Sequence, residues 1–283
     1  MAIRGNRGRP VMPFVHDSTD PSPWWLPQTY RWIAGVPRKA CAWEFLRRNP
    51  DYRAAWAASS SARRSEERKA GLTVINAAHV DIDARQWGLL GLFENPDRDA
   101  RQANVLWTSN VHPAILPVVA VSDSAHDDHG LLPLAACHCR TTVYIEPDGR
   151  QHVLFTKAGR FLQLEVKSGS VFSSGRLLPD ILSSTASVAV RALSVRQLAD
   201  LAACRDLRAS LYRPHAQGRR LIEVLQALDG ERAGASRRDI AVALFGEERV
   251  RRGWRSRTMR DKVRTTVRRG LALMNGGYVQ FLR

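Results

Sequence analysis

Cysteine is scarce in this sequence, four residues in 283, which excludes a disulfide-stapled scaffold. Long apolar runs are missing as well. The longest nearly unbroken one, Ala114 to Val121, falls far short of the roughly 18 to 20 residues that a membrane-spanning helix needs. The basic residues at Arg4, Arg7 and Arg9 are followed by a stretch broken at Pro13, His16 and Asp17, so no signal-peptide core forms and a cytoplasmic address is expected. Acidic side chains are under-represented, 27 against 43 basic ones, for a formal net charge of +16. Lysine is nearly absent from the basic set, with only Lys39, Lys69, Lys157, Lys167 and Lys262, so arginine carries the charge. What is present suffices for a core: 44 % hydrophobic and 25 % charged residues is an ordinary globular balance, and the length suggests about two domains.

The charge is concentrated. Residues 204–283 hold 19 basic and 8 acidic side chains, a net +11 of the total +16. A compact basic segment of this kind points to a polyanion partner, nucleic acid before an acidic protein.

Four segments follow from the patterning, in an α+β arrangement. Residues 1–22 lack periodicity and read as a flexible arm. Residues 23–110 read as mainly helical: Asn49 followed by Pro50 is an N-cap with proline at the first helical position, and Tyr52 and Trp56 share a face of that helix. The Ser- and Arg-rich run 57–71 reads as a frayed helix end or linker. Residues 111–178 read as a small antiparallel β module, with a hairpin across Pro147-Asp148-Gly149 and an alternation of Leu162, Leu164 and Val166 with Gln163, Glu165 and Lys167.

Residues 179–283 turn helical. Ser194 is placed to cap a helix ending near Cys204, and a second apolar stripe (Leu221, Ile222, Leu225, Leu228) is expected to stop at Asp229-Gly230. Ser236 and Asp239 have capping-box spacing ahead of Ile240, Ala241, Leu244 and Phe245, with Gly246 as terminator. After a turn from Gly246 to Ser256, longer than a tight helix-turn-helix uses, Ser256 is placed to cap a third helix. At 100° per residue Met259, Val263, Val267 and Leu271 gather on one face of it, and Arg257, Asp261, Arg264, Thr265 and Arg268 on the other. An apolar spine opposite a cationic face is what a recognition helix needs, since arginine's planar fork can grip guanine or phosphate in bidentate fashion. The nominated DNA-contacting set is therefore Arg255, Ser256, Arg257, Arg264, Thr265 and Arg268. Arg260, Lys262 and Arg269 join it from the flanks, and Arg237 and Arg238 from the preceding helix. Gly276-Gly277-Tyr278 to Leu282 reads as a turn into a short closing strand.

The strings Gly234 to Gly246, Trp254-Arg-Ser256, Arg260 to Arg264 and Gly276-Gly-Tyr278 resemble the DNA-binding domain of RovC-type bacterial transcriptional regulators. Trp43-Glu-Phe-Leu-Arg-Arg-Asn-Pro-Asp-Tyr52 resembles the N-terminal domain of longer proteobacterial members. The resemblance implies a sequence-specific regulator of double-stranded promoter DNA, an activator acting on type VI secretion or mobile-element genes. It carries over no catalytic residue and no cofactor. The remaining two-thirds of the chain would serve homo-oligomerisation, RNA polymerase contact or antiactivator binding. Removal of residues 204–283 is expected to abolish DNA binding and leave a folded remainder.

Other chemistry finds little footing. His126, His129, Cys137, His138 and Cys139 form the one ligand-like cluster, but Cys137-His-Cys139 lacks zinc-site spacing. Asp81, Asp83, Asp127 and Asp128 are the acids that a nuclease or DNA-processing accessory would need. A protein-interaction adaptor with a basic face is the other rival.

Overall fold

A computed structural model describes residues 23–59, 64–69, 72–91, 94–121, 134–173, 176–180 and 188–283. Helices α1 (Ala40–Leu46) and α2 (Pro50–Ala58) follow a 3-10 segment, Pro27–Gly35. Asn49 caps α2 as its sequence predicts, its side chain accepting from the backbone N–H groups of Asp51 and Tyr52.

The sheet is larger than the sequence suggests, and mixed. Its seven strands are β1 (Arg64–Lys69), β2 (Leu72–Ala77), β3 (Leu116–Val121), β4 (Arg140–Ile145), β5 (Gln151–Lys157), β6 (Arg160–Ser168) and β7 (Arg176–Pro179), in the order β1-β2-β4-β5-β6-β3-β7. The antiparallel module expected from the sequence is its centre, β4-β5-β6. Two parallel pairings extend it, β2 with β4 and β3 with β6, and the supposed linker supplies edge strand β1. Neither pairing is local, so strand periodicity could not reveal them.

Both faces of the central strands are covered. Val143, Val153, Phe155, Leu162 and Leu164 pack beneath Leu198 and Leu201 of α4 (Val188–Cys204). Tyr144 and Leu154 meet Leu90 and Leu106 on the opposite face. Gln163, read as the solvent side of β6, is buried there because its amide clamps the Trp107 backbone, accepting from N at 3.0 Å and donating to O at 2.7 Å. Ser194 does not cap α4. It lies inside the helix, where its hydroxyl donates to Ala114 O at 2.8 Å and ties the helix to the start of β3.

The C-terminal helices are α5 (Gly218–Arg232), α6 (Arg237–Phe245), α7 (Glu247–Gly253) and α8 (Arg257–Met274). α5 runs through Asp229-Gly230 instead of stopping there, because both residues serve packing. A Cβ on Gly230 would stand 2.8 Å from the Trp24 ring. The left-handed residue that ends the helix is Gly234, φ 72°. The expected closing strand is instead a 3-10 helix, Gly277–Phe281. Its three-residue repeat buries Tyr278 and Phe281 together, and Phe281 stacks on Phe45 at 5.6 Å.

One hydrophobic cluster joins the two ends of the chain. Tyr30, Ile33, Phe45, Leu46 and Trp107 pack with Leu221, Leu225 and Leu228 of α5, with Leu273 and Met274 of α8, and with Tyr278 and Phe281. Removing residues 204–283 would strip one wall from this core, so a folded remainder is not what the packing allows. The Trp43–Tyr52 string provides the polar part of the joint. The Arg48 guanidinium donates to both carboxylate oxygens of Asp229 (2.7 and 2.9 Å) and to Glu44 at 2.7 Å. Tyr30 donates its hydroxyl to Asp229 at 2.8 Å, and Asn49 donates to Met274 O at 3.3 Å.

Gly270 sets the distance between α5 and α8. A Cβ there would stand 2.9 Å from Leu228 Cβ and 3.2 Å from Val224 O, neither of which is a flexible side-chain tip. Alanine gains about 1 kcal/mol in helix propensity, but overpacking costs about 1 to 3 kcal/mol, and the rigid neighbours favour the cost. Gly270→Ala should lower the urea midpoint; a raised midpoint would mean that the two helices can separate freely.

Candidate nucleic-acid interface

α8 is held by its spine. Val263 and Val267 are buried against Ala227 of α5, Ile240 and Ala241 of α6 and Val250 of α7, with Met259 and Leu271 half-buried beside them. Ser256 occupies the N-cap position with an extended backbone, although its side chain makes no capping hydrogen bond. The opposite face is open, and Arg257, Arg264, Thr265 and Arg268 are all exposed on it. Asp261 lies between two of these arginines, 3.1 Å from Arg264 and 3.6 Å from Arg257. With those side chains 70 % and 89 % exposed, such pairs contribute little stability. Asp261 orients the arginines more than it neutralises them.

The flanks differ in their commitments. Lys262 Nζ stands over the Phe245 ring at 4.6 Å, and the Arg249 guanidinium approaches the same ring at 5.8 Å, so α7 and α8 meet around the end of α6. Arg269 reaches Gln217 at 3.5 Å. Arg237 is ion-paired with Glu231. Arg238, Arg255, Arg260 and Arg268 are exposed and make no ion pair among the described residues, so their charge is unspent within the chain.

The span from Gly246 to Ser256, expected to be a turn, contains α7. Two sequence signals fit that helix: Val250, four residues after Gly246, is its buried anchor, and Glu247 and Glu248 open it where Arg251 and Arg252 close it, matching the helix dipole. Glu248 also pairs with Arg251 (2.8 Å) and Arg252 (3.2 Å). An acidic first turn makes α7 a poor element to present to phosphate. The first turn of α8 carries no acid.

The other candidate chemistry disperses. Cys137 and Cys139 pack partly buried against the α4 side of the sheet, their thiols hydrogen-bonded to each other. Among the described residues no three His, Cys, Asp or Glu side chains gather as a metal site. His126, His129, Asp127 and Asp128 lie outside the described residues. Asp81 is an N-cap, accepting from Ala84 N at 2.9 Å, and Asp83 is exposed. No described helix is long and apolar enough to cross a membrane.

With α8 and its neighbours in place, comparison with known families is decisive. Residues 181–283 match the family described as "T6SS, Transcription factor, DNA binding domain". The chain carries a RovC-type DNA-binding domain. Residues 23–90 match a second family, a proteobacterial transcriptional regulator-like domain. No curated protein matches the chain. Within its described part the RovC-type domain comprises α4 to α8 and the terminal 3-10 helix, and the regulator-like domain holds α1, α2 and strands β1 and β2. The Arg48–Asp229 pair therefore fastens the regulator-like domain to the RovC-type domain. Both are domains of DNA-binding transcriptional regulation and not of catalysis.

Proposed function

We propose that the chain is a sequence-specific activator of transcription that binds double-stranded promoter DNA through the exposed face of α8. The observation that carries this reading is the orientation of α8: Val263 and Val267 are buried against α6 and α5 while Arg257, Arg264 and Arg268 are free to solvent. In this reading Arg264, Arg268, Arg257 and Thr265 reach base edges. Arg237, Arg238, Arg255, Ser256, Arg260, Lys262 and Arg269 take the phosphates on either side. Phosphate contacts supply a salt-dependent affinity and α8 supplies the readout.

The target genes are those of type VI secretion or of mobile elements, in keeping with the wording of the matched family. Four domains, 1–22, 23–110, 111–178 and 179–283, divide the labour, the last binding DNA in the cytoplasm. The chain works as a homo-oligomer that contacts RNA polymerase or is held by an antiactivator. Genome-wide footprinting of the tagged chain, with transcript levels measured after its deletion, tests the reading. Occupied promoters whose transcripts fall on deletion support an activator; transcripts that rise would make it a repressor, and dispersed occupancy would remove sequence specificity.

A further inference from the structure

Away from α8, a cleft of about 210 Å³ opens at the β4–β5 hairpin end of the sheet. That is room for a small metabolite and less than the roughly 300 to 1,000 Å³ of sites for drug-sized ligands. Its polar wall includes Arg85, Glu146, Arg150, His152 and Glu165, and its apolar wall includes Leu90, Trp107 and Ile115.

His152 is the informative member. It is 5 % exposed, and its Nε2 lies 2.7 Å from Glu146 Oε1. Arg85 also donates to Glu146, at 2.9 Å, and Arg150 lies 3.5 Å from it. An ionised Glu146 can only accept, so the neutral imidazole presents Nε2–H to it and keeps Nδ1 as an acceptor. That buried Nδ1 has no hydrogen-bond partner, and a buried acceptor left alone costs free energy that a donor at the same place would recover.

The charges around the cleft balance. Glu146 is met by Arg85, Glu165 by Lys167 at 2.7 Å and Asp148 by Arg150 at 2.7 Å. A simple anion or cation gains little from a balanced lining, whereas a zwitterion meets cationic donors at one end and acceptors at the other.

We propose that this cleft binds a free amino acid with a small aliphatic side chain. Its carboxylate accepts from the Arg85 and Arg150 guanidinium groups, its ammonium donates to His152 Nδ1 and Glu165, and its side chain lies against Leu90, Trp107 and Ile115. Titration calorimetry on the full chain at pH 7.5 tests this with glycine, L-alanine, L-valine and L-leucine, and with isobutyrate and isobutylamine as single-charge controls. Saturable binding of at least one amino acid in the millimolar range or tighter is expected, with neither control binding. Arg85→Gln and Arg150→Gln, at side chains 34 % and 54 % exposed, should keep the fold and weaken that binding about tenfold or more by removing charge-assisted donors. Absence of binding by all four amino acids would overturn the proposal, as would equal binding by isobutyrate or unchanged affinity in both variants.

Discussion

Arg48→Ala should destabilise the fold by about 3 to 5 kcal/mol, the cost of removing one partner from a buried ion pair. Two carboxylates lose their counter-charge at once: Asp229, bound by both arms of the guanidinium, and Glu44, fully buried one helical turn away. Against a total stability of about 5 to 15 kcal/mol for a domain, that is a large fraction. Arg48→Lys keeps the charge but not the fork, and should fall between wild type and alanine. Urea denaturation measures the difference; a loss under about 1 kcal/mol would mean that water already screens the cluster.

The same cluster sets the response to acid. Burial works to raise the Glu44 and Asp229 carboxyls, but the adjacent guanidinium groups, Arg47 and Arg48 for Glu44 and Arg48 for Asp229, more than offset it and hold both below the usual carboxylate range. Groups depressed in the folded state stabilise above their unfolded values, about 4, and that contribution is lost as pH falls through the folded ones. His112 acts at higher pH. Burial, with the Lys39 charge adding to it, lowers His112 from 6.5 to about 3, while its Nδ1 stands 3.0 Å from Leu282 O. The unfolded chain therefore takes up this proton first, and stability declines from about pH 6.5 down to the folded value. A stability profile flat between pH 6.5 and 5 would contradict the neutral, buried His112.

The second large effect concerns α8. Converting Arg257, Arg264 and Arg268 together to glutamine should leave the fold within about 0.5 kcal/mol per site, because exposed positions away from packing tolerate substitution, and should reduce promoter affinity by orders of magnitude. Arg264→Ala alone should cost about 1 to 3 kcal/mol of binding and relax preference at particular base pairs if it reads bases. A uniform loss across all sequences, with the salt slope smaller by about one, would reassign it to phosphate. Unchanged binding by the triple variant would remove α8 from the interface.

Local chemistry made much of this architecture legible in the sequence. The Asn49-Pro50 cap, the Ser236–Asp239 box and the Val263/Val267 spine each depend on neighbours within one or two turns, and each stands where its spacing places it. Long-range choices were not legible. Nothing near Asp229 announces that its partner is Arg48, so Asp229-Gly230 looked like a helix stop when it is a buried counter-charge beside a close helix contact. The parallel partners of β4 and β6 are likewise selected by tertiary packing. The basic face of α8 was visible on a helical wheel, whereas the bracing of its flank through Phe245, Arg249 and Lys262 required knowing that the segment before it is helical.

The most direct test compares affinity for a footprinted promoter duplex with affinity for its scrambled counterpart, at physiological salt, for the wild-type chain and the Arg257/Arg264/Arg268 glutamine variant. A RovC-type domain reading DNA through α8 predicts a wild-type preference of about 10³ or more that collapses toward unity in the variant. Equal wild-type affinity for both duplexes, or a preference that survives the loss of all three arginines, would contradict it.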